Sequence, residues 1–170
     1  MKKDHSTKWP AISAAATVVE LGRIVRTAAR EIAGSDGATF VLREGDRCFY
    51  ADEDSIAPLW KGQRFPLEEC ISGWTMLHGE PAVVPDILTD PRIPQAAYAT
   101  TYVRSLVMVP VGTPAVAAIG TYWAAGIPDA GLLPRLVTLA ADVAETLDRI
   151  GLSSAPWAPN FASGDGVPLG

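Results

Sequence analysis

The sequence predicts an α+β fold in which terminal helices cover one face of an antiparallel sheet of five or six strands and an irregular helical segment covers the other. Apolar residues recur at helical spacing near both ends of the chain. Two pairs of apolar segments, each joined by a short turn, are typical of β-hairpins and therefore of antiparallel strands. The nearly continuous apolar run at 106–111 indicates a strand that is buried on both faces.

The terminal helices are predicted at 10–33 and 131–150. Pro10 suits a first helical turn and Gly34 suits the residue just past a helix end. The apolar stripe of the first helix consists of Val18, Leu21, Val25, Ala28 and Ile32. The stripe of the last helix consists of Leu133, Leu136, Ala140, Val143, Leu147 and Ile150.

The two hairpins lie between these helices. The first pairs strands at 38–43 and 47–51, and the second pairs strands at 104–111 and 115–124. Tyr122 is expected to face the opposite side of its strand from Trp123.

The segment between the hairpins lacks a sustained period. We expect a short helical turn within 52–60 and a weakly marked strand within 61–67. Ser72 is placed as the cap of a short helix that ends at Gly79. A short strand at 82–84 and a short helix near 95–100 follow.

Length and composition describe one domain with loose ends. The 170 residues are 48% apolar and carry a net charge of −5, so we expect a soluble cytoplasmic protein that does not bind nucleic acid. No apolar run reaches membrane-spanning length, and the apolar stretch near the N-terminus is too broken for an export signal. Residues 1–9 are predicted to be flexible, 10–150 to form the domain, and 151–170 to be a tail rich in Gly, Pro and Ser.

Cysteine and histidine are scarce. Cys48 and Cys70 form no C-x-x-C pair and have no His at zinc-site spacing, so no metal is expected. Cys48 is interpreted as a small buried apolar residue. The carboxylates before Cys70 are expected to raise its thiol pKa, which argues against a reactive nucleophile. His78 is expected to be exposed at a helix end.

Five short motifs follow one another between residues 66 and 111: ISGW at 71–74, GEP at 79–81, VVPDI at 83–87, DPR at 90–92 and RSLVMVP at 104–110. Their order and spacing resemble the middle of a GAF domain, in particular of those that accompany bacterial sensor histidine kinases. The resemblance implies that 10–150 is a sensory domain for a small molecule or chromophore, often dimeric through its terminal helices. The fold alone does not identify the ligand.

The ligand types of related domains are not matched by this sequence. Neither cysteine is followed by His, as covalent bilin attachment in the phytochrome type would need, so we expect no covalent bilin. The pattern of cyclic-nucleotide-binding members is missing. Haem is not expected, because its sole candidate axial ligand within the domain, His78, is expected to be an exposed residue at a helix end. Two isolated cysteines also differ from the clustered cysteines of the methionine-sulfoxide reductases in this family.

A cavity beneath the irregular segment is the candidate binding site, although the same aromatic residues can simply pack as core. Its expected apolar lining is Tyr50, Trp74, Leu77, Tyr98, Tyr102, Met108 and Tyr122. Its expected polar contacts are Asp86, Arg104 and Ser105. No pair of nucleophile and base stands out, so the domain is predicted to be non-catalytic.

Three functional hypotheses follow. The first is a sensory or regulatory domain of bacterial two-component signalling, which binds an apolar or aromatic ligand and signals by changing how helices 10–33 and 131–150 pack in a homodimer. The second is a ligand-free dimerisation or adaptor domain for a histidine kinase or response regulator, with 157–161 as a contact. The third is a redox enzyme that uses Cys48 or Cys70.

Overall fold

The sheet has six strands, and every neighbouring pair is antiparallel. The computed structural model describes residues 9–151. In spatial order the sheet reads β3-β2-β1-β6-β5-β4, so the two predicted hairpins meet where β1 pairs with β6. This arrangement confirms the predicted α+β class. The strands are β1 (Gly37–Glu44), β2 (Arg47–Ser55), β3 (Arg64–Pro66), β4 (Ala82–Val84), β5 (Ser105–Val111) and β6 (Ala117–Trp123).

The helices divide between the two faces of the sheet. One face carries the helices α1 (Pro10–Ala14), α2 (Val18–Ala33) and α5 (Leu132–Ile150). The other carries a 3₁₀ turn (Leu67–Glu69), α3 (Ile71–His78) and α4 (Gln95–Tyr98). None of these helices combines the length and apolar character needed to cross a bilayer, within residues 9–151.

The first helical segment is two helices, not the single one predicted at 10–33. Thr17 is extended, at φ −134° and ψ 161°, and its side chain accepts a hydrogen bond from the Glu20 N–H at 3.1 Å. The Glu20 carboxylate in turn accepts from the Ala16 N–H at 3.1 Å. This capping arrangement starts α2 anew, because it satisfies amide groups that a continuing helix would have used itself. At the other end, Gly34 adopts the left-handed conformation expected of a helix terminator.

The predicted apolar stripes of α2 and α5 face the sheet and each other. Leu21, Val25, Leu136 and Val143 are fully buried in the core of this single chain. Covering a sheet therefore explains their spacing within a single chain. Any pairing of two chains through the terminal helices has to use their outer surfaces.

No helical turn forms within 52–60, because β2 continues to Ser55. Residues 52–55 pair with β1 beyond a bulge at Phe40/Val41. Asp54 also pairs with Arg30 of α2 at 2.7 Å. Pairing with a distant segment thus overrides the local preference for a turn.

The predicted ends of the chain lie outside the described residues, apart from Trp9 and Gly151. Trp9 is half-buried and packs against the core beneath the helices, so its side chain is not part of a loose terminus. The predicted contact segment at 157–161 is outside the described range.

Gly73 allows α3 to lie against the 3₁₀ turn. A Cβ atom at this position would overlap the backbone carbonyl of Leu67. We expect Gly73→Ala to lower the free energy of unfolding by about 2 kcal/mol, because the overlap outweighs the gain in helix propensity. Urea unfolding followed by circular dichroism measures this change.

Gly131→Ala is the matched control. Its Cβ would meet only the exposed Asp129 carboxylate, at 3.3 Å. This substitution should change the free energy of unfolding by less than about 0.5 kcal/mol. Equal effects of the two substitutions would contradict the proposed role of Gly73.

Candidate functional site

A cavity of about 180 Å³ lies between β2, β3 and α4, on the face opposite the long helices. Pro94, Ala96 and Ala97 form its wall on the α4 side, and Glu69 and Cys70 border it next to α3. Its aromatic walls are Tyr50, Trp60, Phe65 and Tyr98. The cavity is thus mainly apolar with a few polar groups, which is the usual character of a small-molecule site.

Trp60 is the centre of the aromatic walls. Its ring centroid lies 4.8 Å from that of Tyr98, 5.5 Å from that of Tyr50 and 5.6 Å from that of Tyr122. The rings are tilted or edge-on, which are favourable aromatic geometries. The Trp60 indole N–H donates to the Ala97 carbonyl at 3.3 Å, so Trp60 joins the loop before β3 to α4.

Glu53 holds the loop that carries Trp60. Its carboxylate accepts hydrogen bonds from three consecutive backbone N–H groups, those of residues 59–61, at 2.8, 3.0 and 3.0 Å. Loops that cover a core need such partners, since their amide groups lack a regular ladder. Glu53 therefore positions Trp60 in the aromatic wall through the backbone of its loop.

The Tyr98 hydroxyl is buried and has no hydrogen-bond partner among the described residues. Only 4% of this residue is exposed. By contrast, the Tyr50 hydroxyl lies 3.0 Å from the Ser72 hydroxyl, and the Tyr122 hydroxyl lies 2.9 Å from that of Thr39. Burial raises the pKa of Tyr98 well above its ordinary value, so at neutral pH the phenol keeps its proton and can both donate and accept.

The two cysteines lie side by side beneath the cavity, contrary to the expectation that they are isolated. The sulfur atoms of Cys48 and Cys70 are 3.1 Å apart, and both residues are buried. The Ser72 hydroxyl lies 3.3 Å from the first and 3.4 Å from the second. Cys70, not Ser72, is the residue before α3, and the Ser72 side chain is occupied inside the helix by these contacts.

The two thiols differ in acidity. The hydrogen bond between the two thiols is the main cause that lowers the pKa of Cys70, and the Ser72 hydroxyl and the Gly73 N–H act in the same direction. Burial and Glu69 oppose this shift. The hydrogen bond to Cys70, together with burial, raises the pKa of Cys48. The expectation that adjacent carboxylates raise the pKa of Cys70 is thus wrong in its net direction.

The structure brings several predicted site residues to this face. Tyr50 and Tyr98 line the cavity. Tyr122 and Met108 are fully buried in the same core cluster, and Tyr122 reaches the cavity walls through its contact with Trp60.

The outer surface of α3 corrects the prediction for Leu77. Leu77 is 47% exposed, so it faces solvent and not the sheet. Trp74 is half-buried, with the exposed His78 stacked on it at 4.5 Å and the Arg92 guanidinium 4.5 Å above its ring. Trp74 does not line the 180 Å³ cavity.

The predicted polar contacts are not at the cavity. Asp86 and Arg104 are exposed, at turns next to the ends of β4 and β5. Ser105 is buried but donates to the Gly126 carbonyl at 3.0 Å, and Tyr102 is half-buried with its hydroxyl 2.7 Å from a serine of β2. The Asp86 carboxylate accepts a hydrogen bond from the Leu88 N–H at 2.9 Å, so Asp86, like Ser105 and Tyr102, is engaged elsewhere in the fold.

Sequence reasoning missed Trp60, Phe65, Glu53 and Ala97. One signal was available. Leu59 and Trp60 form a short apolar pair in a loop, and a large aromatic residue at such a position can pack on the core instead of facing solvent. Neither the Glu53 bonds nor the position of Ala97 has a local signature.

A larger cavity, of about 320 Å³, lies beside the helices on the other face. Its lining includes Trp9, Ile32 and Leu139. Trp9 directly follows residues outside the described range. No group of three or more His, Cys, Asp or Glu side chains suited to a metal ion occurs in 9–151.

Comparison with known proteins identifies the fold and the family. The GAF domain of the phosphoenolpyruvate-protein phosphotransferase from Acinetobacter is 12% identical, with 87% of this chain and 96% of that one covered and a TM-score of 0.72. The free methionine-R-sulfoxide reductase from Neisseria meningitidis, in complex with its substrate, is 17% identical, with 88% and 94% covered and a TM-score of 0.70. The GAF-B domain of DevS from Mycobacterium smegmatis is 13% identical, with 75% and 90% covered and a TM-score of 0.62. At such identities the likeness shows the fold alone. No curated protein matches the chain.

An antiparallel sheet with helices on one face and an irregular, helix-bearing segment on the other is the architecture that this chain shares with these structures. The chain belongs to the GAF domain family, whose pattern it matches over residues 15–148. GAF domains commonly act as sensory or regulatory domains in signalling proteins, although the fold also occurs in a methionine-sulfoxide reductase.

Removing the Tyr98 hydroxyl should stabilise the ligand-free protein. We expect Tyr98→Phe to raise the free energy of unfolding by about 1 kcal/mol, since it removes a buried polar group that has no partner within residues 9–151. Tyr50→Phe is the matched control and should lower it by about 1 kcal/mol, because it breaks a satisfied hydrogen bond. Urea unfolding of both variants measures these opposite changes in the free energy of unfolding. A lower free energy of unfolding for Tyr98→Phe would contradict the prediction.

Removing the Glu53 carboxylate should release the Trp60 loop. We expect Glu53→Ala to lower the free energy of unfolding by about 2 kcal/mol, because three backbone N–H groups lose a charged acceptor. Amide hydrogen exchange should become faster in residues 59–61. Glu68→Ala, at an exposed position, is the control. Unchanged exchange in 59–61 would refute this role.

Proposed function

We propose that this chain is a non-catalytic sensory domain of bacterial signal transduction that binds a small aromatic ligand carrying one polar group. The supporting observation is Tyr98, which lines the aromatic cavity and whose buried hydroxyl has no hydrogen-bond partner among the described residues. Native proteins rarely leave such a group unpaired, so a ligand group that pairs with it would recover its lost hydrogen bond.

The size of the cavity limits the ligand to about one aromatic ring. A cavity of about 150 Å³ is known to hold benzene, and this one has about 180 Å³. Trp60 and Tyr98 offer ring faces and edges for stacking, and the Tyr98 hydroxyl offers one hydrogen bond. A larger ligand would have to displace α4 or the Trp60 loop.

Strand β2 is the proposed route from the cavity to the terminal helices. Its Glu53 holds the Trp60 loop, while the neighbouring Asp52 and Asp54 pair with Arg26 and Arg30 of α2 at 3.5 and 2.7 Å. A ligand that moves the loop would alter these ion pairs between β2 and α2. Such a signal requires that the ligand bind the two arrangements with different affinities.

The output is proposed to pass through a homodimer formed by the outer surfaces of the helices within 10–33 and 131–150. Val137 of α5 is 45% exposed and offers an apolar contact on such a surface. A histidine kinase or response regulator is the proposed partner. If no ligand binds, the aromatic rings, which already pack on one another, suit the alternative of a ligand-free dimerisation or adaptor domain.

Phenol and benzene are suitable probes, because they differ by one hydroxyl group. We expect the full chain to bind phenol about tenfold more tightly than benzene in a calorimetric or NMR titration, since the extra hydrogen bond contributes about 1.4 kcal/mol. Tyr98→Phe should remove this preference.

A pair of alanine variants locates the binding site. Ala97→Leu places a larger side chain in the cavity wall and should weaken both probes, whereas Ala99→Leu, at an exposed position just after α4, should weaken neither. Absence of saturable binding of either probe to the wild-type chain would overturn the proposal for this ligand class. Binding that Ala97→Leu leaves unchanged would place the ligand elsewhere.

A further inference from the structure

We propose that Cys48 and Cys70 form a reversible intramolecular disulfide, in which Cys70 reacts first with a small hydroperoxide that enters through the cavity and Cys48 resolves the product. This is a covalent redox site, distinct from ligand binding in the cavity above it. Its geometry, its access and the difference between the two thiols each support it.

The geometry needs only a small movement. The sulfur atoms are 3.1 Å apart, against about 2.05 Å in a disulfide bond. Cys48 is held in β2, where it pairs with Phe65 of β3. Cys70 lies at the junction between the 3₁₀ turn and α3, outside regular helix or strand. Cys70 can therefore move toward Cys48 without disturbing the sheet.

Access is available to one thiol only. Cys70 borders the cavity, whereas Cys48 is fully buried behind it. A small oxidant in the cavity thus meets Cys70 first. The buried Cys48 is protected from direct attack but lies within reach of the product.

The groups around the two thiols also favour Cys70 as the first to react. The thiolate is the reactive form of cysteine, and the contacts with Cys48, Ser72 and the Gly73 N–H favour it at Cys70. The charged groups that face the pair are Glu69, which disfavours this thiolate, and Arg43, which acts on Cys48. The nearby Tyr50, Tyr98 and Tyr122 phenols stay neutral at neutral pH because burial raises their pKa values.

The chemistry balances with one hydroperoxide. The Cys70 thiolate attacks the terminal peroxide oxygen, the O–O bond breaks, and the alkoxide takes a proton and leaves as an alcohol, or as water from hydrogen peroxide. Cys70 becomes a sulfenic acid. The Cys48 sulfur then attacks the Cys70 sulfur, its thiol proton leaves with the hydroxyl group as water, and the S–S bond forms. Two thiols are oxidised by two electrons and one peroxide is reduced; an external dithiol reverses the step.

The bond would change the cavity that it borders. Forming the bond draws Cys70, which borders the cavity, toward Cys48. The oxidised and reduced chains would then differ at the site where the ligand is proposed to bind, although the disulfide itself does not depend on any ligand.

Hydrogen peroxide added to the folded, full chain tests the proposal. After trapping of free thiols with N-ethylmaleimide, we expect the intact mass to fall by two hydrogen atoms with no maleimide added, and peptide mapping to join 48 to 70. Dithiothreitol should restore two reactive thiols. Two trapped thiols after treatment with excess peroxide, or a disulfide between two chains, would overturn the proposal.

Two single variants separate the roles of the cysteines. Cys48→Ala should react more slowly, because Cys70 loses the contact that favours its thiolate, and should stop at a sulfenic acid on Cys70, which dimedone traps. Cys70→Ala should leave Cys48 unmodified. Modification of Cys48 in the second variant would reverse the assigned order and refute it.

The pH dependence of Cys70 alkylation can be measured on the wild-type chain. Alkylation of Cys70 in the wild-type chain by iodoacetamide should rise with pH to a midpoint below 9.0, because its neighbours lower the pKa of this thiol. The rate should rise with pH because the thiolate fraction does. A midpoint near 9.0 would contradict the activation of Cys70 by its neighbours.

Discussion

The central strands of this domain bury both faces, and that constraint determines where every other element lies. Along β6, Ile119 packs beneath the helices, whereas Ala118 and Tyr122 face the cavity side. β5 alternates in the same way, with Val109 on one side and Met108 on the other. Because side chains alternate along a strand, a shift of one residue in register would exchange the two cores. The helix seams and the aromatic walls therefore depend on the same pairing.

The two faces are closed by different means. Long amphipathic helices close one, since their own hydrogen bonds are internal and only their apolar stripes need a partner. The other is closed by irregular chain, whose backbone groups are satisfied by side chains: Glu53 holds residues 59–61, and the Gln95 amide donates to the Ile87 carbonyl at 2.7 Å. An irregular cover fills space less completely than a helix does, and the cavity lies beneath it.

The local elements could be predicted from the sequence, and the contacts between distant ones could not. Both hairpins and both terminal helices follow from periodicity and turn residues, which act over a few residues. The break at Thr17 depends on a cap, and the extension of β2 to Ser55 depends on pairing with β1. At the site, Tyr50 and Tyr98 were found because aromatic residues there suggested a lining. Trp60 was missed because its loop position depends on Glu53, and the cysteine pair because 22 residues separate its members.

Cys70 belongs to both the cavity border and the proposed thiol pair, and this shared position couples the two proposals. A ligand that covers Cys70 would hinder its reaction with peroxide, which is an effect on rate. An effect on equilibrium needs a difference in ligand affinity between the reduced and the oxidised chain. By linkage, the factor by which oxidation changes that affinity equals the factor by which the ligand changes the tendency of the thiols to oxidise. A ligand that binds the reduced chain more tightly, through contact with Cys70, would therefore favour the reduced pair. A ligand held by Tyr98 and Trp60 alone would bind both states equally and leave the redox equilibrium unchanged.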